Sequence, residues 1–171
     1  MNMHWSDNFN TQTQEQELKK RFDYEAWSHD DSSQEKAVLR NVSLSEIELP
    51  DWSANRIQRM AAKNVPPYVR SMWQPKGSGT EILVRVEVYE CDSTQAAREF
   101  LLRLLGEFQS TQIERRSDVA GDVAFVYVGD TMVLFSRNNI VVWLRNAGAE
   151  VVSVTFLAKQ FDAHLLRLLN F

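Results

Sequence analysis

Nucleophiles, bases and paired acids are sparse in this chain. Its one cysteine, Cys91, follows the run "EILVRVEVYE" and stands just before a helical pattern that begins "DSTQAAREF". A thiol at a helix N-terminus sits where the backbone dipole favours the thiolate. Cys91 is therefore the candidate nucleophile of a small thiol-dependent enzyme. Such a thiol needs a base beside it. The histidines are His4 and His29, in a polar N-terminal stretch, and His164, in an apolar C-terminal one. None is near Cys91 in sequence, and a small buried cysteine is the plainer reading. His164 reads as a structural side chain at the edge of an apolar stripe.

The remaining candidates are weaker. His29, Asp30 and Asp31 could touch a divalent cation, but adjacent residues in a linker define no coordination sphere. Glu87 and Glu90 would point to opposite faces of a strand, which removes a paired-carboxylate site. Gly77 and Gly79 flank a serine without the Gly-Lys-Ser/Thr of a phosphate loop. Arg115, Arg116, Arg137 and Arg145 would make an anion site only if folding gathered them. Arg137 and Arg145, at the two ends of one hairpin, read as charges that deter strand pairing. The expectation is no catalytic residue, no metal and no cofactor.

Composition narrows the class further. An apolar share of 44% and a charged share of 25% over 171 residues belong to an ordinary globular domain with its own core. A net charge of -4 lacks the basic footprint of nucleic-acid binding. No apolar run approaches the roughly 18 residues of a membrane span. The start, "MNMHWSDNFNTQTQEQE", has neither a basic region nor an apolar one. It reads as cytoplasmic by default, with export and a removed signal as the alternative.

The elements that would position these residues follow from periodicity. Residues 1-36 read as a polar extension, partly helical or mobile; "EQELKKRFDYEAW" has a thin helical stripe through Leu18 and Phe22. Residues 37-171 read as a single domain. Ser53 stands as an N-cap before "ANRIQRMAAKN", so a helix closed by Pro66 and Pro67 is expected there. A loop follows, around Pro75, Gly77 and Gly79. Ile82, Val84, Val86 and Val88 alternate with Leu83, Arg85, Glu87 and Tyr89, the pattern of a strand. From Ala96 to Phe108 the apolar residues keep helical spacing. Three strands follow in a meander, the last two turning at Asn138 and Asn139. That turn pairs Arg137 with Ile140, Phe135 with Val142 and Leu134 with Trp143. The stripe Val154, Leu157, Phe161, Leu165 predicts a last helix over 152-169, with a strand at 150-156 as the fallback.

These elements assemble into an α+β fold: an antiparallel sheet of about four to six strands, two long helices packed on one face as a two-layer sandwich, and short N-terminal helices. The second face would then carry Leu83, Tyr89, Met132, Leu134, Val141 and Trp143. So large an apolar patch calls for a cover. Self-coverage by residues 11-73, a second copy of the chain, and a partner or ligand are the three options. The leading functional expectation is a non-enzymatic binding or assembly domain that uses this face for homodimerisation or a protein partner. The thiol enzyme around Cys91 is the alternative.

Two stretches, "VEVYECDSTQAAREF" and "GDVAFVYVGDTMVLFSRNNIVVWLR", resemble uncharacterised bacterial α+β domains of unknown function. In those domains a strand ending in an acidic step enters an alanine-bearing helix, and a glycine-started strand and a hairpin follow. The resemblance spans residues 81-146. It implies the fold, a bacterial source and frequent export; its motifs are packing and turn features that imply no substrate, cofactor or catalytic residue.

Overall fold

The computed structural model describes residues 8–27, 38–43, 47–77, 79, 81–108 and 110–170. His4, His29, Asp30, Asp31 and the expected linker lie outside them. Helix α1 (Asn8–Arg21) leads through a short turn at Tyr24–Ala26 to Trp27. Seven strands follow: β1 (Trp52–Met60), β2 (Tyr68–Pro75), β3 (Val84–Glu90), β4 (Ile113–Arg115), β5 (Val123–Tyr127), β6 (Met132–Arg137) and β7 (Ile140–Asn146). Helix α2 (Thr94–Leu105) connects β3 to β4, and α3 (Thr155–Leu169) ends the chain. The strands form one open antiparallel sheet in the order β1-β2-β3-β7-β6-β5-β4.

Local rules account for the middle of this order. At the β6–β7 turn Asn138 takes a φ of 53°, which asparagine tolerates better than most residues. The register is the expected one: Arg137 opposes Ile140, Phe135 opposes Val142, and Leu134 opposes Trp143. Gly121 (φ 69°) is required before β5, because a side chain there would run into the Ser136 carbonyl. Ser93 caps α2, its hydroxyl accepting from the Ala96 amide at 3.0 Å. The β-branched run before α3 does not enter the sheet as a strand. Asn146 holds it instead, exchanging hydrogen bonds with both backbone groups of Val152 at 2.8 and 3.0 Å, and the helix begins at Thr155.

Two expectations are corrected. The stretch expected as a helix after Ser53 is strand β1, and the expected loop after it is β2, so with β4 the sheet has seven strands rather than four to six. The apolar spacing of Ile57, Met60 and Ala61 did not mark a buried face: Asn55–Arg59 are exposed, and backbone pairing to β2 makes this segment a strand. The two long helices do not share a face. Leu157, Ala158, Phe161 and Leu165 of α3 pack with Val84, Val86, Phe135 and Val142. On the other face, Ala97, Phe100, Leu101 and Leu105 of α2 pack with Tyr89, Leu134, Val141 and Trp143. The middle of the molecule is therefore three layers, helix, sheet, helix.

Connectivity explains the split. β3 and β4 run in the same direction with α2 between them and three strands separating them. A crossover of this kind is right-handed almost without exception, which commits α2 to one side of the sheet. Only the opposite face is then left for α3.

Candidate functional site

The strand pattern sets three cross-sheet rows on the face beneath α2. Tyr68, Tyr89 and Val141 form one, Arg70, Glu87 and Trp143 the next, and Met72, Arg85 and Arg145 the third. The first row is apolar and packs with α2; the Tyr68 and Tyr89 rings stack at 4.6 Å between centroids. Arginines dominate the other two rows at the β2–β3 side.

Glu87 is the centre of the arrangement and is only 2% exposed. Arg145 donates to its Oε1 at 2.8 Å, and the Tyr89 hydroxyl donates to Oε2 at 3.0 Å. The Arg70 guanidinium stands 3.6 Å from Oε2. A buried carboxylate needs such partners, because leaving it unpaired out of water costs several kcal/mol, on the order of ~3–5. The Arg145 guanidinium also lies 4.0 Å from the Trp143 ring centroid, a cation–π contact, and Phe108 meets the same ring edge-on at 5.6 Å. Burial, and then the Glu87 charge beside it, push the Tyr89 phenol well above its ordinary value, so it remains a proton donor to Glu87.

The cluster is not self-satisfied. Two arginines, Arg70 and Arg145, meet the one carboxylate, and Arg85, two residues along the same strand, has no ion-pair partner among the described residues. Arg85 stands directly opposite Arg145 in the β3–β7 register. Like charges at that position repel. Arg70 Nε, Arg85 Nε and Trp143 Nε1 are buried nitrogens without a hydrogen-bond partner among the described residues. A buried donor left unmade costs about 1–3 kcal/mol, and three of them lie within two adjacent rows.

The residues expected to form an open apolar surface are gathered, but beneath the protein's own chain. Tyr89, Met132, Leu134, Val141 and Trp143 are buried in one cluster with α2, Phe22, Tyr24 and Trp27; Leu83 is half-buried just before β3. The N-terminal segment thus contributes to the core: the Trp27 indole donates to the Phe22 carbonyl at 3.0 Å and its ring lies against Phe125 at 5.4 Å. Of the other cover candidates, Trp73 packs on the α3 face, against Phe161, and Ile57 is exposed.

The other candidates resolve into structural roles. Cys91 is 3% exposed, and burial, assisted by the Asp92 charge, pushes its thiol up to about 12. The cleft of about 580 Å³ that reaches Cys91 is lined by Val65, Pro67, Glu90, Asp92 and Phe100 among others, without a histidine. His164 is buried on α3, across the sheet. Arg137 is bound by Asp162 through both carboxylate oxygens (2.8 and 2.9 Å) and by Asp122 at 2.9 Å, tying α3 to β6. Arg116 bridges Asp118 and Asp130. No three of histidine, cysteine, aspartate and glutamate gather at metal-binding distance among the described residues. Nor is any helix among them long and apolar enough to cross a membrane.

Reading the sequence alone misses Arg70, because its stretch looks like a loop. The signal was present: in "YVRSMW", Val69, Ser71 and Trp73 alternate with Tyr68, Arg70 and Met72, the period of a strand. Compared with known proteins, the chain matches no family model, no curated protein and no solved structure.

Proposed function

We propose that the chain is a non-enzymatic binding domain, and that the cluster of Arg70, Arg85 and Arg145 around Glu87 grips an anionic group presented by a protein partner. The observation that carries this reading is the half-exposed Arg85, which has no ion-pair partner among the described residues and stands opposite Arg145 on the part of the sheet face where arginines replace apolar residues. Guanidinium groups suit carboxylates geometrically, since their donors form a planar fork. An incoming carboxylate would relieve the Arg85–Arg145 repulsion. The state of Cys91 supports a binding domain over the thiol enzyme: at neutral pH a thiol held near 12 is overwhelmingly protonated.

Citrate is a suitable probe, because it presents three carboxylates on a small frame. Millimolar citrate should raise the Tm of the native chain, while sodium chloride at matched ionic strength should not. Arg85→Gln should abolish the citrate response. Without citrate the variant should be at least as stable as the native chain, since it removes one of two opposed like charges. A variant that responds to citrate as the native chain does would overturn the assignment.

A further inference from the structure

The β1–β2 hairpin differs in charge from everything around it. From Trp52 to Thr80 the sequence holds Arg56, Arg59, Lys63, Arg70 and Lys76 and no aspartate or glutamate. Of the chain's 19 basic residues the other fourteen face all 23 acidic ones, so a protein of net charge -4 is +5 here and -9 elsewhere. The hairpin is also the edge of the sheet. β1 is nine residues long and, among the described residues, pairs only with β2, so that its outer backbone groups have no strand beside them there. The opposite edge strand, β4, has three residues, too few to template another chain.

Two devices guard the β1 edge. A bulge interrupts its register between Asn55 and Gln58, where Arg56 adopts a φ of 53°, and the exposed Arg56 and Arg59 add positive charge. Positive charge repels a second copy of the same edge. It does not repel a strand of opposite charge. Beside β1, on the α3 face, lies a groove of about 580 Å³ whose apolar wall is Leu49, Trp52, Ala54, Ile57 and Trp73 and whose charged wall is Glu48 and Lys76. A strand edge without a neighbour among the described residues, next to a groove with both apolar and charged walls, is an arrangement by which a sheet takes up an extended peptide: backbone hydrogen bonds give affinity, and the groove reads alternate side chains.

We propose that an acidic, extended peptide segment of a partner protein adds to the outer edge of β1. Its alternate apolar side chains enter the groove at Trp52, Ala54 and Ile57, and its carboxylates lie among the hairpin's arginines and lysines. A nucleic acid fits less well. It would use neither the outer backbone of β1 nor the apolar wall of the groove, and the -9 charge of the remaining chain opposes a long polyanion. The proposal rests on the edge, the groove and the charge asymmetry, and shares only Arg70 with the arginine cluster around Glu87.

Fluorescence anisotropy with the full chain and a labelled eight-residue peptide of alternating glutamate and valine tests it. At low ionic strength the peptide should bind with a Kd below about 1 mM. The corresponding lysine–valine peptide should bind at least tenfold more weakly, and so should a glutamate–valine peptide N-methylated at alternate amides. The first comparison isolates charge. The second isolates strand pairing on the unmodified protein, so the outcome does not depend on a variant folding. Arg56→Glu/Arg59→Glu, both at exposed positions, should lose the acidic peptide tenfold or more and keep its native circular dichroism. Equal binding of the N-methylated peptide, no binding of the acidic one, or tighter binding of an eight-nucleotide thymidine strand would each overturn the proposal.

Discussion

In the middle of the sheet, Val133, Leu134 and Phe135 of β6 and Ile140, Val141, Val142 and Leu144 of β7 are all fully buried, whichever face they point to. In β1, at the edge, Asn55–Arg59 are exposed on both faces. The two regions share one hydrogen-bonded sheet but not one environment. Where α2 and α3 cover both faces, the strands are apolar without interruption, as strands buried on two sides must be. Where neither helix reaches, apolar residues thin out and only cations carry the charge. The arginine cluster marks the boundary, with Glu87 buried and its arginine partners half-exposed. Backbone pairing holds a strand in a sheet; helix cover decides what its side chains are for.

The largest test of this contrast compares the two covered faces with each other. Phe135→Ala beneath α3 and Trp143→Ala beneath α2 should each cost about 3–5 kcal/mol in urea unfolding, as truncations of buried aromatics do. A Trp143 variant losing less than about 1 kcal/mol would mean that α2 does not seal its face.

A smaller effect concerns pH. The Cys91 thiol is raised to about 12 in the folded protein, against about 8.5 in an unfolded chain. Above the unfolded value the unfolded state gives up the proton while the folded state keeps it. Stability is therefore full below about pH 8 and declines as pH rises towards 12. Denaturation at pH 8, 9 and 10 should show a loss of about 1 kcal/mol between pH 9 and 10 that Cys91→Ala removes. Tyr89, raised in the same direction by burial, adds to the decline only at still higher pH. An unchanged slope in the alanine variant would assign the alkaline loss elsewhere.

The smallest effect should come from the edge. Ile57 is 44% exposed, so Ile57→Ser should change stability by less than about 0.5 kcal/mol. A loss comparable to that of the core variants would mean that the hairpin is covered after all, and the contrast between the two regions would fail.

How much of this was legible depended on the range of the interaction involved. The β6–β7 register follows from two asparagines and a period of two, both local. α2 and α3 follow from stripes of period 3.6 that tertiary packing preserved. β1 was illegible because its side chains are mostly exposed and so keep no strand period; pairing with β2 alone makes it a strand. The helix arrangement was partly legible. Two apolar faces on the 132–146 hairpin needed two covers, and the sequence contains two apolar helices, one for each. Placing both on one face left an open surface, and the dimer and partner expectations drew on it.

From Val84 onward, periodicity marked the buried sides of the helices and central strands, because a stripe or an alternation is a property of neighbours in sequence. It could not say against which surface each stripe is buried. The crossover from β3 to β4 decided that, while strand pairing brought Arg145 of the distant β7 to Glu87 and opposite Arg85, beside Arg70 of the neighbouring β2. Charge repulsion and unmatched donors of that kind exist only once the strands are side by side.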